Sequence, residues 1–140
     1  MADTFQKASI SSDLAHRMIT AAEAQASDIG VPMNIAVVDE SGVLKAFSRM
    51  DGAPLLSVQI SQDKAYTAAG FGLSTDGWHD FIKDDPPLAA GAPSGIDRLV
   101  VFGGGYPIKS GDSVIGAIGV SGGHYTQDMQ VAQAGIAVLG

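Results

Sequence analysis

The chain has 140 residues, a formal net charge of −7 and no cysteine. One domain of ordinary size is expected over residues 1–140, and an acidic chain without a basic stripe is a poor match for nucleic acid or an anionic membrane. The missing cysteines exclude disulfides, zinc–thiolate sites and cysteine nucleophiles, and no apolar run approaches the ~20 residues that cross a bilayer.

The start, Met1-Ala2-Asp3-Thr4-Phe5, lacks the basic region and apolar stretch of a signal peptide, so a cytoplasmic location is expected. Ser11 or Ser12 is placed to cap a helix that begins near Asp13. Leu14, Met18, Ala22, Ala26 and Ile29 follow at helical spacing, and Gly30-Val31-Pro32 ends it. Met33 to Asp39 reads as a buried strand and Val43 to Met50 as its returning partner, joined by a turn at Glu40-Ser41-Gly42.

Asp51-Gly52-Ala53-Pro54 breaks that strand, and a long helix is expected from Leu55 to Gly72. A looser helical turn is expected around Asp76 to Lys83. Asp84 to Gly95, with three prolines, reads as a loop fit for a lid or a subunit contact. Arg98 to Phe102 reads as a short strand, followed by a glycine hairpin at Gly103-Gly104-Gly105 and a strand from Val114 to Ser121. Thr126 is placed to cap a last helix, Gln127 to Leu139. The order favours an α+β fold, one antiparallel sheet covered by helices. The glycines of the second half remove the Cβ wall from one strand, which suits a tight subunit contact or a ligand held against backbone.

Lys64 falls in the middle of a stripe of Leu56, Ile60, Ala68 and Phe71. It is either a structural lysine, paired or reaching water past its own stem, or an anion-binding or acid–base group among small neighbours. Arg49 and Asp51 put a fork donor beside an acceptor at a strand end, for a ligand or merely to tie down the turn. His124 and Asp128 flank the start of the last helix, an anion-friendly end opened by Gly122 and Gly123. His79, beside Trp78, suits an axial haem ligand or a ring-stacking contact. Neither His79 nor His124 has a partner at zinc-ligand spacing. Gly119, Ser121 and Gly123 match a nucleophile elbow in spacing only, since His124 and Asp128 follow too closely to form a triad.

Taken in order, Ile35-Ala36-Val37-Val38-Asp39 with Gly42, Arg49-Met50-Asp51-Gly52, Lys64-Ala65-Tyr66-Thr67-Ala68, Gly103 to Ile108, Val114 to Gly123 and Asp128 to Gly135 resemble the GlcG/HbpS-like family. The resemblance covers nearly the whole chain. It implies a profilin-like sandwich that assembles into dimers to octamers, and a site for a small, anionic ligand. The family joins haem-binding sensors and domains to small cofactor-free enzymes of aromatic catabolism. The missing export signal and the segment from Trp78 to Leu88 point towards the enzyme or small-molecule binder branch.

The expected activity is a cofactor-free lyase or hydratase on a small aromatic carboxylate, like a hydroxylaminobenzoate lyase. His124, Lys64 and Asp128 would be catalytic, no metal would be involved, and Arg49, Asp51, Trp78, His79, Tyr106, Ser121 and Tyr125 would bind substrate. The alternative is a haem or corrinoid binder without catalysis, using His79 or His124 as axial ligand.

Overall fold

Helix α1, Ser12–Asp28, begins where the Ser11 hydroxyl accepts the backbone N–H of Leu14 at 3.1 Å, satisfying one of the free donors of a helix start. Its buried side is Ala15, Met18, Ile19, Ala22 and Ala26. The computed structural model describes residues 2–139, and in it strands β1 (Asn34–Asp39), β2 (Leu44–Arg49), β3 (Gly105–Ser110) and β4 (Ser113–Ser121) form one antiparallel sheet in the order β2-β1-β4-β3. Asp39 Oδ1 accepts the N–H groups of Ser41 and Val43 at 2.9 and 3.0 Å, which closes the β1–β2 turn as an Asx turn does.

Alternation along β1 divides the core between two faces. Ile35 and Val37 pack with Ile108, Ile118 and Val120 under α1 and helix α5 (Tyr125–Ile136). Ala36 and Val38 meet Ala65, Ala68 and Ala117 beneath α2 (Leu56–Phe71), which covers the other face. The small residues of β4 let α2 come close: a Cβ on Gly119 would overlap the Ser61 carbonyl oxygen and lie 2.5 Å from the Ala65 nitrogen. At Gly119 the glycine strand therefore serves helix packing within the chain.

That close approach also corrects the reading of α2. Leu56 and Phe71, taken as its inward stripe, are 77% and 61% exposed. The buried side is Ser57, Ser61, Lys64, Ala65, Thr67 and Ala68: small groups suit the close approach of helix and strand, and Lys64 is the one long side chain among them.

Four further expectations change. Asp84 to Gly95 is not a loop. It holds α4 (Pro86–Gly95), capped by Asp85 Oδ1 on the Leu88 N–H at 3.3 Å, and two of its prolines occupy the first turn, where a missing N–H costs nothing. Arg98 to Phe102 is not a strand. Arg98 adopts φ +64°, held by its guanidinium on Asp63 at 2.8 Å and by the Thr67 hydroxyl on its carbonyl at 2.9 Å. The β3–β4 turn falls at Gly111-Asp112, while Gly105 already begins β3. The looser turn after α2 is a two-turn helix, α3 (Thr75–Ile82), capped by Ser74. Trp78, Ile82 and Ala92 join α3 to α4 in a cluster of their own. No helix among the described residues is long and apolar enough to cross a membrane.

Candidate functional site

A cleft of about 470 Å³ opens between α3, the segment 101–103 and the first turn of α5. Helix α3 contributes Asp76, His79 and Asp80, which helical spacing places on one side. Val101, Phe102 and Gly103 form the floor, and Tyr125, Thr126 and Met129 the opposite wall. The Asp76 Oδ1 atom is buried without a hydrogen-bond partner. Asp80 is engaged at 3.4 Å by Lys83, an exposed neighbour on the same helix turn. Among the described residues no lysine or arginine lines the cleft.

Directly behind it lies a buried ion pair. Lys64 Nζ donates to Asp128 Oδ2 at 2.8 Å and to the Val120 carbonyl at 2.8 Å, and its side chain has no exposure. It stands 5.0 Å from the centre of the Phe102 ring, within cation–π range. Asp128 Oδ1 accepts the Gly123 N–H at 3.0 Å, so this one carboxylate ties α2 to the entry of α5. Gly104, at φ +130°, makes room for the ammonium: a Cβ there would meet Val120 O at 2.6 Å and Lys64 Nζ at 2.7 Å. Burial pushes the Asp128 carboxyl up and the Lys64 ammonium down, and in each their mutual attraction opposes the shift.

His124, not Thr126, caps α5. Its Nδ1 accepts the Thr126 N–H at 3.3 Å, while Gln127 Oε1 accepts the His124 N–H at 3.0 Å. Its ring lies 4.2 Å from that of Tyr125.

Of the residues singled out from sequence, His79 and Tyr125 line the cleft. Lys64 and Asp128 come together but are sealed behind it, so Lys64 is not free to meet a ligand's charge. His124 is not among the lining residues. Arg49 pairs with Asn34, which pairs in turn with Ser121, so Arg49, Ser121 and the following Asp51 gather at one end of the sheet outside the cleft. The Tyr106 hydroxyl accepts Gln133 Nε2 at 3.2 Å, and burial, then the Asp76 charge, holds its pKa above the ordinary phenol value. Trp78 is buried and lines a different groove. Asp76, Asp80, Phe102 and Met129 were missed. The spacing of Asp76, His79 and Asp80 was the available signal, hidden by reading α3 as a loose turn. No group of three or more His, Cys, Asp or Glu among the described residues is arranged to hold a metal ion.

The family model for haem-degrading, HbpS-like proteins matches residues 10–137. The chain is 38% identical over 131 residues to an uncharacterized 15.0 kDa protein of Citrobacter freundii, covering 94% of this chain and 92% of that one. Its fold superposes on the crystal structure of the Klebsiella pneumoniae protein ORFY with a TM-score of 0.91 at 33% identity, over 98% of this chain and 94% of that one. It also superposes on the PduOC–haem complex with a TM-score of 0.86 at 32% identity, over 92% and 94% of the two chains.

Proposed function

The chain belongs to the HbpS-like family, and from that premise we propose that it binds a haem-type tetrapyrrole in the cleft between α3 and α5, with His79 as the group that meets the metal. The carrying observation is the make-up of the walls: Val101, Phe102, Tyr125 and Met129 offer apolar and aromatic surface beside the exposed imidazole of His79. Such walls suit a flat, largely apolar ring with one coordinating nitrogen. With Asp76 and Asp80 on one side and no cation opposite, the ligand's own carboxylates belong at the open mouth, in water.

A bound haem would supply iron-centred redox chemistry. The chain would contribute a coordinating nitrogen from His79, apolar surface from Phe102 and Met129, and negative charge from Asp76 that favours a cationic metal. Homo-oligomeric assembly belongs to the same reading, supported by Leu55 and Leu56, which stand 81% and 77% exposed at the start of α2.

Haem titration followed by absorbance tests the assignment. A saturable Soret band is expected in the native protein and in His124→Ala, and its loss in His79→Ala. A band that survives in His79→Ala overturns the role of His79, and no band in any form overturns the haem reading.

A cofactor-free lyase on a small aromatic carboxylate is the second reading. The unpartnered Asp76 Oδ1 favours it, since a carboxylate and the His79 imidazole on one helix could serve as base and acid. Ammonia release from a hydroxylaminobenzoate, abolished in Asp76→Asn, is the result this reading expects. No release from native protein rejects it.

A further inference from the structure

The charges around the cleft divide tetrapyrroles by what their side chains end in. Granted tetrapyrrole binding in this cleft, on which the inference rests, we propose that it prefers a ring whose side chains end in neutral amides over one that carries free carboxylates. Asp80 and Asp76 are the residues that set the preference.

The α3 wall is negative. Asp76 stands in the first turn of α3 and Asp80 one turn later, both beside His79. Asp76 forms no ion pair among the described residues. Asp80 meets Lys83 at 3.4 Å, but the two side chains are 69% and 49% exposed, and so open a pair neutralises little. Val101, Phe102, Tyr125 and Met129 add apolar and aromatic surface without a formal charge.

A ring carboxylate needs a cation or free N–H groups in the opposite wall. Among the described residues no lysine or arginine lines the cleft. A helix start would ordinarily welcome an anion, yet the donors at the start of α5 are engaged within the chain. The Gly123 N–H goes to Asp128 Oδ1 at 3.0 Å, the His124 N–H to Gln127 Oε1 at 3.0 Å and the Thr126 N–H to His124 Nδ1 at 3.3 Å. The Gln127 and Asp128 N–H groups go to the His124 carbonyl at 2.8 and 3.0 Å. Asp128 also puts a carboxylate into that first turn, and it holds the Lys64 ammonium at 2.8 Å, so the cation behind Phe102 is spent as well. A carboxylated periphery is therefore repelled by α3 and finds no charge to answer it across the cleft. An amide lies against the same wall without repulsion, and its N–H can donate to Asp80.

The test pairs haem with its bis(2-hydroxyethyl)amide, in which both carboxylates become neutral, hydrophilic amides. Each titration is followed by absorbance at low ionic strength. In the native protein the diamide should bind about 5–10-fold more tightly, the scale of one or two unit-charge repulsions across a wet cleft. Raising the salt to about 0.5 M should bring the ratio to about 2-fold or less. Asp80→Asn should lower the ratio about 2–3-fold, and Asp80→Lys should bring it to unity or below. Both substitutions replace an exposed side chain, so the native melting temperature should be kept. Asp112→Asn removes the same charge from the exposed β3–β4 turn, at the far end of β3 from Gly103, and should leave the ratio unchanged.

Haem bound as tightly as the diamide in the native protein, or a ratio that is the same in Asp80→Asn and Asp112→Asn, overturns the preference while the tetrapyrrole site stands. No saturable change with either ring removes the site itself, and the preference with it.

Discussion

Lys64→Met should lose about 3–5 kcal/mol of stability, and adding Asp128→Asn should restore a large part of it. The single substitution leaves the Asp128 carboxylate, 2% exposed, with the Gly123 N–H alone. An uncompensated buried charge is among the costliest defects a core can hold. The double variant removes the charge but keeps an amide oxygen able to accept from Gly123. Each kcal/mol is worth roughly 3–5 °C in a chain of this size, so the single variant should melt some 10–20 °C lower.

The pair itself is not a large source of stability. Burial raises the Asp128 pKa, so its contribution is full below the unfolded value and is lost as pH rises through the raised folded one. Burial lowers the Lys64 pKa, so its contribution is full above the unfolded value and is lost as pH falls through the lowered one. Between the two folded-state pKa values, where both groups are charged, neither contribution is left. Without Lys64 the Asp128 carboxyl rises further, and protonating it removes the buried charge. The deficit of Lys64→Met should therefore shrink as pH falls from neutral into the acid range. Denaturant melts across that range decide it. A deficit that is constant with pH, or one that Asp128→Asn deepens, would show that the charge is not the cause.

Strands β1 and β2 were legible because their signals are local, whereas β3 was misplaced to Arg98–Phe102. Ile35 to Val38 is a continuous apolar run, and Asp39 to Gly42 carries its own turn chemistry. The partnership of Lys64 with Asp128 was not legible, because 64 residues separate them. Lysine on an inward stripe announces burial but not its partner. Helix α4 was hidden by prolines that break a helix interior yet suit its first turn. The cleft was half visible. His79 and Tyr125 stood out as chemistry-bearing types, while Phe102 and Met129 line it only because the Gly103–Gly105 segment folds over α5. A glycine run records that something comes close without recording what.

Gly119→Ala, the addition of one methyl group, should destabilise the chain by about 3 kcal/mol, at the upper end of what overpacking a core usually costs. The new Cβ would point at the Ser61 carbonyl and the Ala65 nitrogen. Both are backbone atoms of a continuous helix, so no rotamer change relieves the clash, and α2 must lift as a body. Lifting it opens the contact of Ala65 and Ala68 with Ala36, Val38 and Ala117, and draws Lys64 away from Asp128 and the Val120 carbonyl. Gly70→Ala is the contrast on the same helix. Its Cβ meets nothing, and replacing a helical glycine stabilises, here in the last turn of α2 by about 0.5 kcal/mol. Two changes of identical composition should thus move stability in opposite directions, read as chemical-denaturation midpoints. If Gly119→Ala instead loses less than about 1 kcal/mol while the assembly dissociates, the glycine strand serves a subunit contact. A large loss of stability at every protein concentration places its work inside the chain, where α2 and β4 meet and where the floor of the cleft is anchored.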